Sequence, residues 1–318
     1  MAAEPVVHRT EHSIVVEADP RTLYGLIADV GGWSYTFPPN VHVERVGGDA
    51  EQERLRLWAF ANGEVRSWTS RRVLDGTALR VAFQQEVSSP PVASMRGEWL
   101  VEALGDGRTR VVLLHDFTVL DDAPEAADWV NRAVDGNSRA ELGALKEAAE
   151  LRAERPGTLL SFEDSVDIEA PAQEVYDFLH RADLWPQRLP HVSRLDLTEE
   201  QPNVQTVRMD TRATDGTVHT TESVRVCFPP DRIVYKQVKV PELMAAHTGR
   251  WTLVPTAHGV RATSRHTVVL RPERVRDLLG PQATLDTARD LVRRSLGANS
   301  TATLLLAKKL TEAARSTG

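Results

Sequence analysis

The chain has 318 residues, 41% hydrophobic and 26% charged, with a net charge of −7 and a single cysteine. That length supports two domains with separate cores, and the composition excludes disordered and fibrous classes. The negative balance argues against a nucleic-acid binder, the lone Cys227 excludes an internal disulfide and has no metal-ligand spacing around it, and no apolar window reaches a membrane span, so a soluble, cytoplasmic protein is expected.

A β-branched run from about Thr10 to Glu17 alternates as a strand, and Asp19-Pro20 supplies an N-cap with proline at the first helical position. The helix that follows sets Leu23, Leu26, Ile27 and Val30 on one side, and Gly31-Gly32 ends it. A short segment from Trp33 to Pro39 leads into strands over 41–46 and 53–61, and Asn62-Gly63 marks a tight hairpin. Strands follow over roughly 64–74, 78–87, 92–103 and 108–120, with turns at Asp75-Gly76, Ser89-Pro90-Pro91 and Asp106-Gly107. A long helix over about 125–155 closes the set, its apolar stripe interrupted by Asn137 and Glu141.

The same order then repeats. Ile14–Trp33 and Val166–Trp185 align at an offset of 152 residues, which also superposes Tyr24 on Tyr176 and Pro38 on Pro190. Within a residue of that offset, Asn62-Gly63 falls on Asp215-Gly216, Arg72 on Arg225, and Gly97-Glu-Trp99 on Gly249-Arg-Trp251. The chain is a tandem duplication, with units expected at 1–155 and 156–318 joined at Pro156-Gly157, and the last helix runs over about 272–314 with a break near Gly280-Pro281. Each unit is expected to be α+β, a curved seven-stranded antiparallel sheet with a long helix against its concave face.

One polar strand face stands out. With period two, Trp68, Ser70 and Arg72 share a side, and Thr221, Ser223 and Arg225 repeat the pattern. The seventh strand sets Val111, Leu113, His115, Phe117 and Val119 on one face, and its duplicate places His266 likewise, so both histidines should point inward. The inward faces then bring Arg72, Ser70, Trp99 and His115 together opposite Asn137. No inward carboxylate stands out as a partner for Arg72, with Glu141 the nearest prospect, so a half-polar pocket is expected rather than a dry core. Trp33, Trp68 and Trp99 fit pocket walls and ordinary core equally well. The orientation of Tyr35 stays open, and the twin of Asn137, Asn299, is explained equally by inheritance.

The motifs Trp-x-x-x-x-Pro (Trp33 to Pro38, Trp185 to Pro190), Trp-x-Ser-x-Arg (Trp68 to Arg72) and Gly-x-Trp (Gly97 to Trp99) resemble those of polyketide aromatase/cyclases of bacterial type II polyketide synthases. Two such units resemble the di-domain members, and the resemblance implies a START-like helix-grip fold. It further implies aldol cyclisation, of the C7–C12 first-ring type, and dehydration of a poly-β-ketone tethered to an acyl carrier protein, with no metal or redox cofactor. The roles it carries over fall on Ser70, Arg72, His115 and Tyr35 in the first unit and on Ser223, Arg225 and His266 in the second. The pocket is then expected to include Trp33, Trp68, Phe83, Met95, Trp99, Phe117 and Asn137, with Trp185, Trp251 and Asn299 in the second unit. The second unit departs from the motif by carrying Thr221 in place of tryptophan, which favours the first as the cyclase and leaves scaffolding or a later dehydration to the second. Arg152 and Arg155 would serve carrier-protein docking. The competing reading is a non-catalytic carrier of a hydrophobic ligand, since the fold alone does not separate the two.

Overall fold

In the computed structural model, residues 4–154, 157–212 and 216–316 are described, with side chains omitted at 152–154 and 315–316. The chain divides into two units, Met1–Pro156 and Gly157–Gly318. Arg155, Pro156, Asp215 and the side chain of Arg152 lie outside the described residues, and with them the expected domain junction, half of the second hairpin turn and the docking arginines.

The first unit opens with β1 (His8–Val16), then α1 (Pro20–Ala28) and α2 (Trp33–Thr36). The Asp19 carboxylate accepts from the amides of Arg21 and Thr22 at 2.9 and 3.3 Å, satisfying donors that the first turn of α1 leaves free. Six strands follow: β2 (Asn40–Gly48), β3 (Gln52–Ala61), β4 (Glu64–Asp75), β5 (Arg80–Val87), β6 (Val92–Gly105) and β7 (Arg108–Val119). All seven form one antiparallel sheet in the order β1-β7-β6-β5-β4-β3-β2. The β3–β4 turn has positive φ at both Asn62 (51°) and Gly63 (84°), the geometry that matches strand twist in a two-residue hairpin. It thereby fixes which residues of β3 and β4 lie opposite one another.

The long helix α3 (Pro124–Glu154) packs on β1, β3 and β7. Its core contacts fall into two groups. Near its start, Val130 and Val134 pack with Phe117 and Val119. Near its end, Leu142, Leu145 and Ala149 join Leu23, Leu26, Ile27, Trp99, Val111 and Leu113. The polar positions Asn137, Ser138 and Glu141 lie between these groups, which is where the first unit keeps open space.

The second unit repeats the plan with β8 (Leu159–Ile168), α4 (Ala172–His180), α5 (Trp185–Arg188), β9 (Val192–Gln201), β10 (Val204–Arg212), β11 (Val218–Phe228), β12 (Arg232–Lys239), β13 (Met244–Thr256) and β14 (Gly259–Leu270). Its sheet order, β8-β14-β13-β12-β11-β10-β9, is that of the first. The closing helix is broken as expected, into α6 (Val275–Leu279) and α7 (Leu285–Ser316), with Gly280 at φ 98° between them. No helix among the described residues is long and apolar enough to cross a membrane.

Candidate active site

Concave sheet and helix in the first unit enclose a cavity of about 160 Å³. β4 contributes Trp68, Ser70 and Arg72, alternate residues of one strand face, and β7 contributes His115. Trp33, Phe83, Met95 and Trp99 also line it, as does Asn137, whose Nδ2 donates to the Phe60 carbonyl at 2.7 Å and ties α3 to β3. The structure thus brings together nine of the expected first-unit residues. Two fall elsewhere. Phe117, 1% exposed, stacks on His8 and packs in the apolar group beside the start of α3, because strand curvature carries it past the cavity's end. Tyr35 sits half-buried on α2 with its hydroxyl near Gly32, and is not among the cavity walls.

Arg72 corrects the expectation of a guanidinium without a carboxylate. Glu53, directly opposite it on β3, accepts from its Nε at 3.2 Å and its Nη2 at 2.5 Å, and both side chains are almost wholly buried. Arg45 closes on the other oxygen of Glu53 from the solvent side. The remaining donors of Arg72 reach the Ile27 and Ala28 carbonyls at 3.1 and 2.8 Å, satisfying acceptors at the C-terminal end of α1. The Trp33 ring covers the guanidinium at 5.0 Å, and its Nε1 donates to Ile27 as well. Burial pulls the Arg72 pKa down and the Glu53 hydrogen bond opposes that pull, so the charge is retained and fixed in place. The signal for Glu53 was in the sequence: it lies nine residues before Asn62, as Arg72 lies nine after Gly63, so a two-residue turn sets them face to face.

His115 lies edge-on to Phe83 with ring centres 5.4 Å apart, and its Nδ1 has no hydrogen-bond partner among the described residues. Burial, reinforced by His12, pushes its pKa down to about 4, so the imidazole is neutral at pH 7. Glu141 behaves in the opposite sense. Its carboxyl lines the cavity, has no ion-pair or hydrogen-bond partner among the described residues, and is pushed by desolvation up to about 7. Other walls not singled out from sequence include Phe37 after α2, Arg66 on β4, Gln85 on β5 and Trp129 on α3.

The second unit keeps the scaffold and changes its chemistry. Arg225 again reaches helix end, donating to the Leu179 carbonyl at 2.6 Å beneath Trp185. Opposite it stands Gln205 where the first unit has Glu53, and Arg225 Nη1 has no partner among the described residues. Phe83 and Met95 are replaced by Tyr235 and His247, which converge on His266: its Nδ1 lies 3.2 Å from the Tyr235 hydroxyl and 3.0 Å from His247 Nε2, and its Nε2 lies 3.2 Å from Ser264. Burial pushes His266 down to about 4 and His247 to about 3. Ser223 is half-buried on the same strand as Arg225, and Trp251 is packed into the core with Val260 and Ala262. Asn299 is exposed, a correction to its expected place in a pocket; the neighbouring Ser300 is buried as its counterpart Ser138 is, and Thr303 occupies the position of Glu141.

A curved antiparallel sheet closed on a long helix around an internal cavity defines the helix-grip, START-like class. The chain belongs to the family described as polyketide cyclase/dehydrase and lipid transport, which it matches twice, over residues 7–150 and 160–304. It is 44% identical over 301 residues to the granaticin polyketide synthase bifunctional cyclase/dehydratase of Streptomyces violaceoruber, covering 94% of this chain and 93% of that one. To the actinorhodin polyketide synthase bifunctional cyclase/dehydratase of Streptomyces coelicolor it is 43% identical, covering 95% and 96%. Among solved structures, the di-domain aromatase/cyclase BexL is 50% identical with a TM-score of 0.86, over 96% of this chain and 99% of that one. The di-domain aromatase/cyclase StfQ from the steffimycin pathway is 34% identical with a TM-score of 0.84, over the same shares.

Proposed function

We propose that this protein closes and dehydrates the first ring of a poly-β-ketone, of the C7–C12 type, while the chain is tethered to an acyl carrier protein of a type II polyketide synthase, and that the first unit does the chemistry. The observation that carries this reading is the first-unit cavity, apolar over most of its wall and polar where Ser70, Arg72, His115 and Glu141 line it. It occurs in a chain more than 40% identical, over nearly its full length, to bifunctional cyclase/dehydratases.

A flexible polyketone can close several rings, so confinement that selects one folded conformer supplies much of the catalysis, on the order of 7–11 kcal/mol in well-oriented reactions. Ring closure then develops negative charge on oxygen. Arg72, clamped by Glu53 and two carbonyls, presents a fixed positive potential there without reorganising. Ser70 offers a hydroxyl from the same strand face, and His115, neutral near pH 7, offers one nitrogen to accept and one to donate. The second unit lacks the Glu53 and Glu141 carboxylates and the Trp68 ring, which supports assigning it a different part.

The test is reconstitution with a minimal polyketide synthase, with and without this protein. The reading expects spontaneous shunt products to give way to one aromatic ring pattern. An unchanged profile with both reduced and unreduced chains would favour a carrier.

A further inference from the structure

Two arginines line the first-unit cavity, and they are held very differently. Arg72 lies at the closed end among buried walls such as Phe37 and Trp99, with its donors taken by Glu53, Ile27 and Ala28. Arg66 lies at the other end, just past the Asn62-Gly63 turn, and 30% of its side chain is exposed. Its Nη2 donates to Glu64 at 2.5 Å and its guanidinium covers the Trp129 ring at 5.4 Å, while no acceptor among the described residues meets its Nε or Nη1. Asn62 Nδ2 donates to the Trp129 carbonyl at 2.8 Å, tying the hairpin tip to α3 and fixing this rim. The β4–β5 register, with Thr69 opposite Val87, brings the exposed wall residue Pro90 to the same end, which marks the mouth of the cavity.

Resting on the cyclase reading above, we propose that Arg66 sets the register of the substrate: its free donors take the carbonyl oxygens at the thioester end of the poly-β-ketone and so decide which carbons reach Ser70 and His115.

The chemistry of the substrate calls for such a residue. A poly-β-ketone repeats every two carbons, a carbonyl and a methylene, so contacts along its middle are met equally well after a slip of one repeat. Only an end breaks that symmetry. The end at the mouth is the thioester, because the tether to the carrier protein must leave there. Its C1 and C3 oxygens are two neighbouring acceptors, and a guanidinium offers paired N–H groups to an arrangement of that kind.

The dimensions agree. Arg66, Trp68, Ser70 and Arg72 alternate on one face of β4, so at about 3.3 Å per residue Arg66 and Ser70 lie about 13 Å apart along the strand. An extended chain spans about 1.2 Å per bond, so the bonds from C1 to C7 cover about 7 Å. The remaining distance of about 6 Å matches an arginine side chain from Cα to its guanidinium carbon at the same rate. A slip of one repeat displaces the chain by about 2.4 Å, enough to break those hydrogen bonds.

The second unit shows that the scaffold does not require this pair. His219 and Leu291 hold the places of Arg66 and Trp129, and His219 is exposed, its Nε2 lying 3.3 Å from Thr217 Oγ1.

The experiment compares wild type, Arg66→Ala and Arg66→Lys in the reconstituted synthase and reads the ratio of products by the position of their first ring. In parallel, NMR titrations measure the affinity of each protein for two probes. One is the N-acetylcysteamine thioester of a 3-oxohexanoyl chain; the other is the S-hexyl thioether, the same chain without the carbonyls. The proposal expects the ring ratio in Arg66→Ala to shift at least ~10-fold towards rings displaced by one repeat, with partial recovery in Arg66→Lys. It also expects wild type to prefer the thioester at least ~10-fold and Arg66→Ala to lose that preference. Directed products with the wild-type ratio in Arg66→Ala would overturn the register role alone. Equal affinity of wild type for the two probes would overturn it too, and decides the matter if Arg66→Ala fails to fold or yields shunt products only. A wild-type protein that leaves the shunt products unchanged would overturn the cyclase reading itself, and the register role with it.

Discussion

Replacing Glu53 by alanine strands the most buried charge in the first unit. Arg72 is 2% exposed and Glu53 lies opposite it in the strand register, also buried. The guanidinium does not shed its proton in proteins, so without Glu53 it must carry its charge on two helix carbonyls and a tryptophan face. Removing one partner of such a pair costs about 3–5 kcal/mol. With a urea dependence of about 2 kcal/mol per molar, the unfolding midpoint of the first unit should fall by roughly 1.5–2.5 M. Tryptophan fluorescence is suited to the measurement, because five of the seven tryptophans lie in that unit. Glu53→Gln, which copies Gln205 of the second unit, should fall between alanine and wild type because it still accepts a hydrogen bond. A midpoint for Glu53→Ala within about 0.5 M of wild type would refute the view that the pair is a structural clamp. The same argument makes product loss in Arg72→Ala ambiguous, since it also frees the end of α1.

Other expectations follow from single contacts. A Cβ at Gly97 would lie 2.2 Å from the Leu114 carbonyl and 2.3 Å from the Phe83 ring, so Gly97→Ala should cost about 1–3 kcal/mol and move Phe83 in the cavity wall, seen as a lower Tm and weaker ligand binding. Asn137→Ala leaves the Phe60 carbonyl without its 2.7 Å donor and should cost about 1–3 kcal/mol, with faster hydrogen exchange where α3 meets β3. Because the Glu141 pKa is raised in the folded state, its contribution to stability is full below the unfolded value of 4.5 and is lost as pH rises through about 7. Glu141→Gln should therefore match wild type at low pH and exceed it by up to roughly 3 kcal/mol at pH 8, measured by urea unfolding. His115 works in the other direction: its lowered pKa means its contribution is present above 6.5 and is lost as pH falls towards about 4.

Periodicity and turn chemistry were enough for most elements, because strands such as β1 and β14 alternate along their length and most turns carry Gly, Pro or Asn. The duplication then confirmed which faces corresponded. Strand parity also put Ser70, Arg72 and His115 on one side, which is why those residues meet in the structure. What parity does not report is depth along a curved sheet, and Phe117, on the same face as His115, passed out of the cavity for that reason. Nor does helix periodicity report how far a side chain turns from solvent: Asn299 is exposed and Asn137 half-buried, although the next residue, Ser138 or Ser300, is buried in both units. Glu53 was legible through the hairpin turn, but only by combining two strands. The isolation of Glu141 was not legible, because it depends on every neighbouring element withholding a cation.

The most direct test of the whole account compares the two units within one protein. Product profiles from the reconstituted synthase would be taken with Ser70→Ala/His115→Asn and, separately, with Ser223→Ala/His266→Asn. If the first-unit cavity does the chemistry, the first pair should return the profile to spontaneous shunt products while the second keeps the directed ring pattern. The reverse pattern, or equal loss from both, would contradict it.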